Sequence, residues 1–109
     1  MAGKKLSPKY HIGVFANMRE IYLRKNKPGI YKRLRDSGEL EQHLKAFQAH
    51  HALIAEEKHQ ELAKERGVNH QLLRMNYIEW VAKTVEIQEE VREYMVKLIC
   101  GEQNHVHQD

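Results

Sequence analysis

Two long apolar repeats of helical period, separated by the short segment Gly67-Val68-Asn69, constrain the fold of this chain more than any other feature. Apolar residues step by four and three over residues 40–54 and again over residues 73–98. Such steps place side chains on one face of a helix and predict two helices, over about 39–66 and 70–100. The glycine ends the first helix and the asparagine can cap the second, so the pair is expected to form a long antiparallel hairpin.

The apolar seam of the second long helix is expected to form the core of the hairpin or a dimer contact. Its members are Leu73, Tyr77, Trp80, Ile87, Val91, Tyr94 and Leu98. A flanking apolar row makes this face broader than a two-helix hairpin can cover. A homodimer that closes a four-helix bundle is the economical way to cover it, and the alternative is a compact monomer in which the N-terminal helices do so.

Two shorter helices are predicted ahead of the hairpin. Apolar spacing predicts the first over about 11–25, and Pro28-Gly29 interrupts it because proline cannot continue the hydrogen-bond ladder. The second is expected over about 28–36 and ends at Ser37-Gly38, where glycine suits a left-handed cap. No strand period occurs in the sequence. The predicted fold is therefore all-α, with a short N-terminal basic helix pair followed by a long antiparallel helical hairpin, four helices in all with coiled-coil-like packing.

A chain of 109 residues has the length of one small domain. We expect a flexible basic arm over 1–10, a single helical domain over 11–101 and a disordered tail over 102–109. No run approaches the ~18 apolar residues of a membrane span, and the only cysteine, Cys100, excludes an internal disulfide. These features predict a cytoplasmic protein with no membrane partner.

Charge is divided unevenly along the chain. Residues 1–35 contain ten Lys or Arg and one acid, whereas residues 36–109 contain eight Lys or Arg and fourteen acids. Such a concentration of positive charge is typical of an end that binds a polyanion. The cations of the basic helix pair that we expect to bind nucleic acid are Arg19, Arg24, Lys25, Lys27, Lys32, Arg33 and Arg35. Two alternatives remain: a solvated face paired with the acidic part of the protein or of a dimer mate, and an acidic protein partner.

The sequence predicts no catalytic residue, metal site or cofactor, and hence no enzyme. Glu56-x-x-His59 has the spacing of di-iron bundles, but the predicted fourth helix offers Glu86, Glu89, Glu90 and Glu93 with no histidine to match. His50 and His51 point about 100° apart on a helix and cannot chelate together. His51 is instead expected to be a hydrogen-bonded core or interface residue. Cys100 lies at the predicted C-terminal end of a helix, where the dipole would raise a thiol pKa.

Several residues and short motifs occur in a characteristic order: Ile12-Gly13, Met18-Arg19, Tyr22-Leu23, Pro28, Tyr31, Leu34, Ser37-Gly38, Leu40, His43-Leu44, Glu65-Arg66-Gly67-Val68 and Glu79-Trp80-Val81. Over roughly residues 12–99 they resemble the TnpV family of small transposon-encoded proteins. The resemblance implies a mobile-element setting and an accessory role in recombination or excision through DNA binding. It transfers no catalytic residue.

Three functions fit these observations. The first is a DNA-binding accessory or regulatory protein of a mobile element, with a recombinase as a protein partner. The second is an inhibitor of host defence, similar to an anti-CRISPR protein, that binds a nuclease through the acidic residues Glu86, Glu89, Glu90 and Glu93. The third is a scaffold coiled coil with no ligand.

Overall fold

Five helices make up the part of the chain that the structure, a computed structural model, describes, residues 12–105. They are α1 (Val14–Asn26), α2 (Pro28–Ser37), α3 (Leu40–Glu65), α4 (His70–Met75) and α5 (Tyr77–His105). No strand occurs in this range, so the predicted all-α class is confirmed. The predicted arm over 1–10 and residues 106–109 lie outside the described residues.

The helices group into two compact units, Met1–Ala52 and Leu53–Asp109, called here the N-terminal and C-terminal units. The boundary falls within α3. The expected single domain over 11–101 stays a prediction. Among residues 12–105, no helix is long and apolar enough to cross a membrane.

The corner between α1 and α2 and the end of α2 follow the predicted local rules. Pro28 is the first residue of α2, where a missing N–H costs nothing because that donor has no partner within the helix. Gly38 ends α2 in the left-handed conformation, with φ of 81°. The Gly38 N–H donates to the carbonyl of Arg35 at 3.1 Å, and the Glu39 N–H donates to that of Leu34 at 2.9 Å. These bonds satisfy carbonyls that the helix end leaves free.

Within the C-terminal unit, α5 runs antiparallel to the second half of α3. Lys58 lies beside Tyr94, and Arg66 lies beside Glu90. As the residue number rises along the first segment of the pair, that of its neighbour in α5 falls, which is the mark of antiparallel helices. The two guanidinium nitrogens of Arg66 each donate to a Glu90 carboxylate oxygen at 2.8 Å. These contacts match the antiparallel pairing that the apolar repeats predict for this part of the hairpin.

The fourth helix predicted over 70–100 is two helices, because Asn76 interrupts it. The side chain of Asn76 accepts from the Glu79 N–H at 3.1 Å and donates to the Glu79 carboxylate at 3.2 Å, which caps the start of α5. This arrangement resembles a capping box, but Glu79 accepts from the Asn76 side chain rather than from its backbone N–H, which donates to the Leu72 carbonyl at 2.7 Å. The predicted cap at Asn69 is also formed, since its side-chain oxygen accepts from the Leu72 N–H at 2.9 Å and begins α4.

The C-terminal end of α5 lies beyond the predicted one. The helix continues through Gly101 to His105, so residues 102–105 are helical and the expectation of a disordered tail is wrong for them. Gly101 has open space around the position of a Cβ, and Gln103 in the next turn is buried. A single glycine lowers the stability of a helix by only about 1 kcal/mol relative to alanine. Burial of a side chain beyond the glycine can offset this loss.

Candidate nucleic-acid interface

The basic helices α1 and α2 are held by a small apolar core within the N-terminal unit. Its buried residues are Ala16, Leu40 and Leu44, against which Ile12, Tyr31 and Leu34 pack. The inward positions of α2 are Tyr31 and Leu34, one turn apart. Because of this spacing, Lys32 and Arg33 lie on its outward side, and both are exposed.

A buried acid links α1 to α2. Glu20 is only 2% exposed, and the Tyr31 hydroxyl donates to its carboxylate at 3.2 Å. A buried carboxylate is costly unless it is hydrogen-bonded. Glu20 is the single acid among the first 35 residues, and it is therefore part of the fold rather than of the surface.

The start of α1 is capped from another helix. Gly13 precedes α1 and has no side chain to cap it, so the Gln48 side chain of α3 accepts from the N–H groups of Phe15 at 2.9 Å and Ala16 at 3.0 Å. These are the two amides that a local N-cap side chain normally satisfies. A Cβ at Gly13 would lie 2.3 Å from the Gln48 Cδ, and φ there is +147°, so glycine is required for this approach.

Arg19, the first of the cations expected to bind nucleic acid, is engaged inside the N-terminal unit. Its Nε donates to the Nε2 of His43 at 3.2 Å. Its guanidinium carbon lies 5.4 Å from the centre of the Phe47 ring and 5.7 Å from that of Tyr22. Burial and the positive charge of Arg19 lower the pKa of His43, which keeps that ring neutral and able to accept the hydrogen bond.

The next three cations lie at the corner between α1 and α2. Arg24 and Lys25 are exposed in the last turn of α1, and Lys27 is half-buried in the linker. Positive charges in the last turn compensate the negative end of the helix dipole. Within residues 12–105, none of these three cations forms an ion pair.

The cations of α2 differ in their partners. Lys32 and Arg35 both approach Asp36, at 3.1 Å and 3.5 Å. Arg35 also lies over the Tyr31 ring, 5.8 Å from its centre. Arg33 has no carboxylate partner in the described part of the chain. Four of the seven predicted cations therefore keep their charge uncompensated there: Arg24, Lys25, Lys27 and Arg33.

The predicted seam is only partly buried in the C-terminal unit. Ile87 and Val91 are buried, and Leu73, Trp80 and Leu98 are half-buried, whereas Tyr77 and Tyr94 are exposed. The apolar row predicted to flank the seam consists of Ile78, Val81, Val85, Met95 and Ile99. Of these, Met95 and Ile99 are fully buried. The buried row of α5 therefore steps by four residues, from Ile87 to Ile99, and drifts around the helix away from the seam.

The histidines that the structure describes are not grouped into a metal site. Glu56, His59 and His70 line one open groove of about 470 Å³ in the C-terminal unit, together with Trp80 and Thr84. Within residues 12–105, no three His, Cys, Asp or Glu side chains are placed to hold a metal ion. His51 is buried, its Nδ1 lies 2.9 Å from the Phe47 carbonyl oxygen, and its ring stacks on that of Phe47, which confirms the predicted core role.

Comparison with known proteins identifies the family. A family model described as transposon-encoded protein TnpV matches residues 3–99, nearly the whole chain. The chain therefore belongs to the TnpV family, and the resemblance noted from the sequence is confirmed. No curated protein and no solved structure shows a significant match to it.

Proposed function

We propose that this member of the TnpV family is a non-enzymatic accessory protein of its transposon that binds DNA in the cytoplasm through the α1–α2 helix pair. The observation that carries the proposal is the group of uncompensated cations Arg24, Lys25, Lys27 and Arg33. The family is transposon-encoded, and affinity for duplex DNA would fit an assisting role in recombination or excision.

The geometry favours contacts with the phosphate backbone. Long, flexible Lys and Arg side chains around a helix corner can reach phosphate oxygens, and such contacts position a protein without reading sequence. Each phosphate that is neutralised releases counterions, so the logarithm of the binding constant falls by about 0.9 per contact for each tenfold increase in salt. Four contacts predict a slope of about −3 to −4.

Asp36 divides the cations into two functional classes. It already neutralises part of the charge of Lys32 and Arg35, so DNA would have to compete with it for these two. Arg33, on the outward side of the same helix, meets no such competitor in the described residues. The strongest DNA contacts are therefore expected from the corner and from Arg33.

The experiment compares two charge-matched triple variants by fluorescence anisotropy with a random and an element-end duplex at several salt concentrations. Arg24→Gln, Lys25→Gln and Arg33→Gln together should weaken binding and reduce the magnitude of the salt slope by about 2 to 3. The control carries Lys45→Gln, Lys64→Gln and Lys83→Gln, which remove the same charge from α3 and α5. Equal losses in both triple variants, or no loss in the first, would contradict the proposed interface.

The acidic run that could bind a defence nuclease is partly neutralised within the chain. Arg66 holds Glu90, and Arg92 pairs with Glu89, which leaves Glu86 and Glu93 without an ion pair in the described residues. A DNA-mimicking inhibitor needs a dense row of free carboxylates, so this pairing favours the DNA-binding proposal. A tight, salt-resistant complex with a nuclease, together with no affinity for bare duplex, would reverse that preference.

A further inference from the structure

The outward side of α5 carries an exposed stripe that the predicted seam does not include. Three apolar residues on it are strongly exposed: Ile78 at 79%, Val85 at 49% and Val96 at 41%. Ala82, Glu89 and Arg92 complete the stripe and are exposed too. The steps from 78 to 96 are 4, 3, 4, 3 and 4, so all six side chains share one face of the helix.

The central part of this stripe is complementary to itself when reversed. Val85, Glu89, Arg92 and Val96 are spaced 4, 3 and 4, which reads the same in both directions. A twofold axis placed midway between Glu89 and Arg92 would bring Val85 of one copy opposite Val96 of the other. It would also bring each Glu89 opposite an Arg92. Self-complementarity of this kind is what a twofold dimer interface requires.

We propose that the central part of this stripe, defined by Val85, Glu89, Arg92 and Val96, is a self-association surface on which two copies pair with their α5 helices antiparallel. In a parallel, in-register pair each Glu89 would face Glu89 and each Arg92 would face Arg92. Charge complementarity therefore selects the antiparallel orientation. Glu89 and Arg92 already pair within one chain, so the dimer joins two pairs into one four-charge cluster.

The size of the stripe sets the strength of the association. Its paired part, residues 85–96, extends over about 16 Å of helix, and one helix face of this length buries less than the ~800 Å² per partner of a standard stable interface. We therefore expect a weak dimer with a dissociation constant in the micromolar range or higher. The inference does not depend on the proposed DNA binding, and its experiments contain no DNA.

The first test uses charge reversal in sedimentation experiments on the full chain. Glu89→Arg alone and Arg92→Glu alone should each weaken self-association tenfold or more, because two like-charge contacts replace two attractive ones in the dimer. An equimolar mixture of the two variants should restore association as a heterodimer. Glu86→Arg, a reversal of an exposed acid that lies off the stripe, should change little.

The second test determines the orientation. On a Cys100→Ser background, Val85→Cys mixed with Val96→Cys should form a disulfide between copies under mild oxidation with oxidised glutathione. Either variant alone should not, because its two equivalent positions would lie about 16 Å apart along the helices, beyond the reach of a disulfide. Efficient crosslinking of Val85→Cys alone would overturn the antiparallel arrangement. A wild-type chain that remains monomeric at several hundred micromolar would overturn the surface itself.

Discussion

The Gln48 cap on α1 gives the sharpest prediction about the fold that presents the cations. Replacing Gln48 with Leu keeps much of the side-chain volume but removes the oxygen that accepts from the N–H groups of Phe15 and Ala16. Ala16 is buried, so water cannot fully replace the lost acceptor. We therefore expect the amides at the start of α1 to lose their protection.

The magnitude follows from the two lost bonds. A missing N-cap costs about 0.5 to 2 kcal/mol, and a buried donor without a partner costs about 1 to 3 kcal/mol. Two donors, one of them buried, predict a loss of about 2 to 3 kcal/mol in the free energy of unfolding. For a chain of this length that is about 10 °C in the melting temperature.

The assay combines thermal unfolding by circular dichroism with amide hydrogen exchange. Gln48→Leu should lower the melting temperature and speed exchange at Phe15 and Ala16. Gln48→Glu should keep the wild-type melting temperature and the slow exchange at Phe15 and Ala16, because a carboxylate is a better acceptor at the positive end of a helix. Gln42→Leu, at an exposed position of the same helix, is the matched control. Equal melting temperatures for Gln48→Leu and Gln42→Leu would refute the role of Gln48 as a cap. So would a melting temperature of Gln48→Glu as low as that of Gln48→Leu.

Two further predictions concern titratable groups. The pKa of His43 lies below its usual 6.5 in the folded chain, so the unfolded chain takes up a proton first and stability falls as the pH drops through about 6.5. His43→Gln should flatten that fall in urea titrations between pH 7.5 and 5, and an unchanged pH profile would contradict the Arg19–His43 hydrogen bond. The Arg66 guanidinium, which donates to both carboxylate oxygens of Glu90, lowers the pKa of that carboxyl. Its stabilisation is therefore present above the unfolded pKa of about 4.5 and is lost as the pH falls through the lower, folded value. A double-mutant cycle with Arg66→Ala and Glu90→Ala should give a favourable coupling that weakens with added salt and below pH 4, and a coupling that is absent at pH 7 would contradict the hairpin contact.

Local signals in the sequence predicted most of the helix ends. Pro28, Gly38 and Asn69 each act through their own backbone or a neighbour within five residues, so their effects could be read without knowing the fold. Asn76 acts in the same local way. The pattern Asn76-x-x-Glu79 is a sequence signature of a helix start. The apolar period continues across it, and for that reason the sequence predicts a single helix over residues 70–100.

Features that depend on tertiary contacts could not be predicted in this way. The cap on α1 comes from Gln48, 33 residues beyond Phe15, and no local pattern links the two. The extension of α5 past Gly101 also depends on tertiary contacts. From the sequence, Gly101 predicts a helix end, and only the burial of Gln103 shows why the helix continues. Tyr77 and Tyr94 of the predicted seam are exposed in the single chain because the buried row of α5 drifts around the helix.

The seven predicted cations show why composition locates an interface but does not define it. Charge counting treats Arg19 and Arg33 as equal, yet Arg19 donates to His43 and lies against two aromatic rings, whereas Arg33 points outward from α2 with no carboxylate partner in the described residues. A guanidinium held by a neutral histidine and by ring faces has already exchanged water for protein contacts, so a phosphate would have to displace those contacts before binding it. Loss of Arg19 should therefore weaken the N-terminal unit itself, and any effect on DNA would follow from that loss of structure. Arg33 carries no such structural contact, which makes it the position at which binding and folding can be separated by a single substitution.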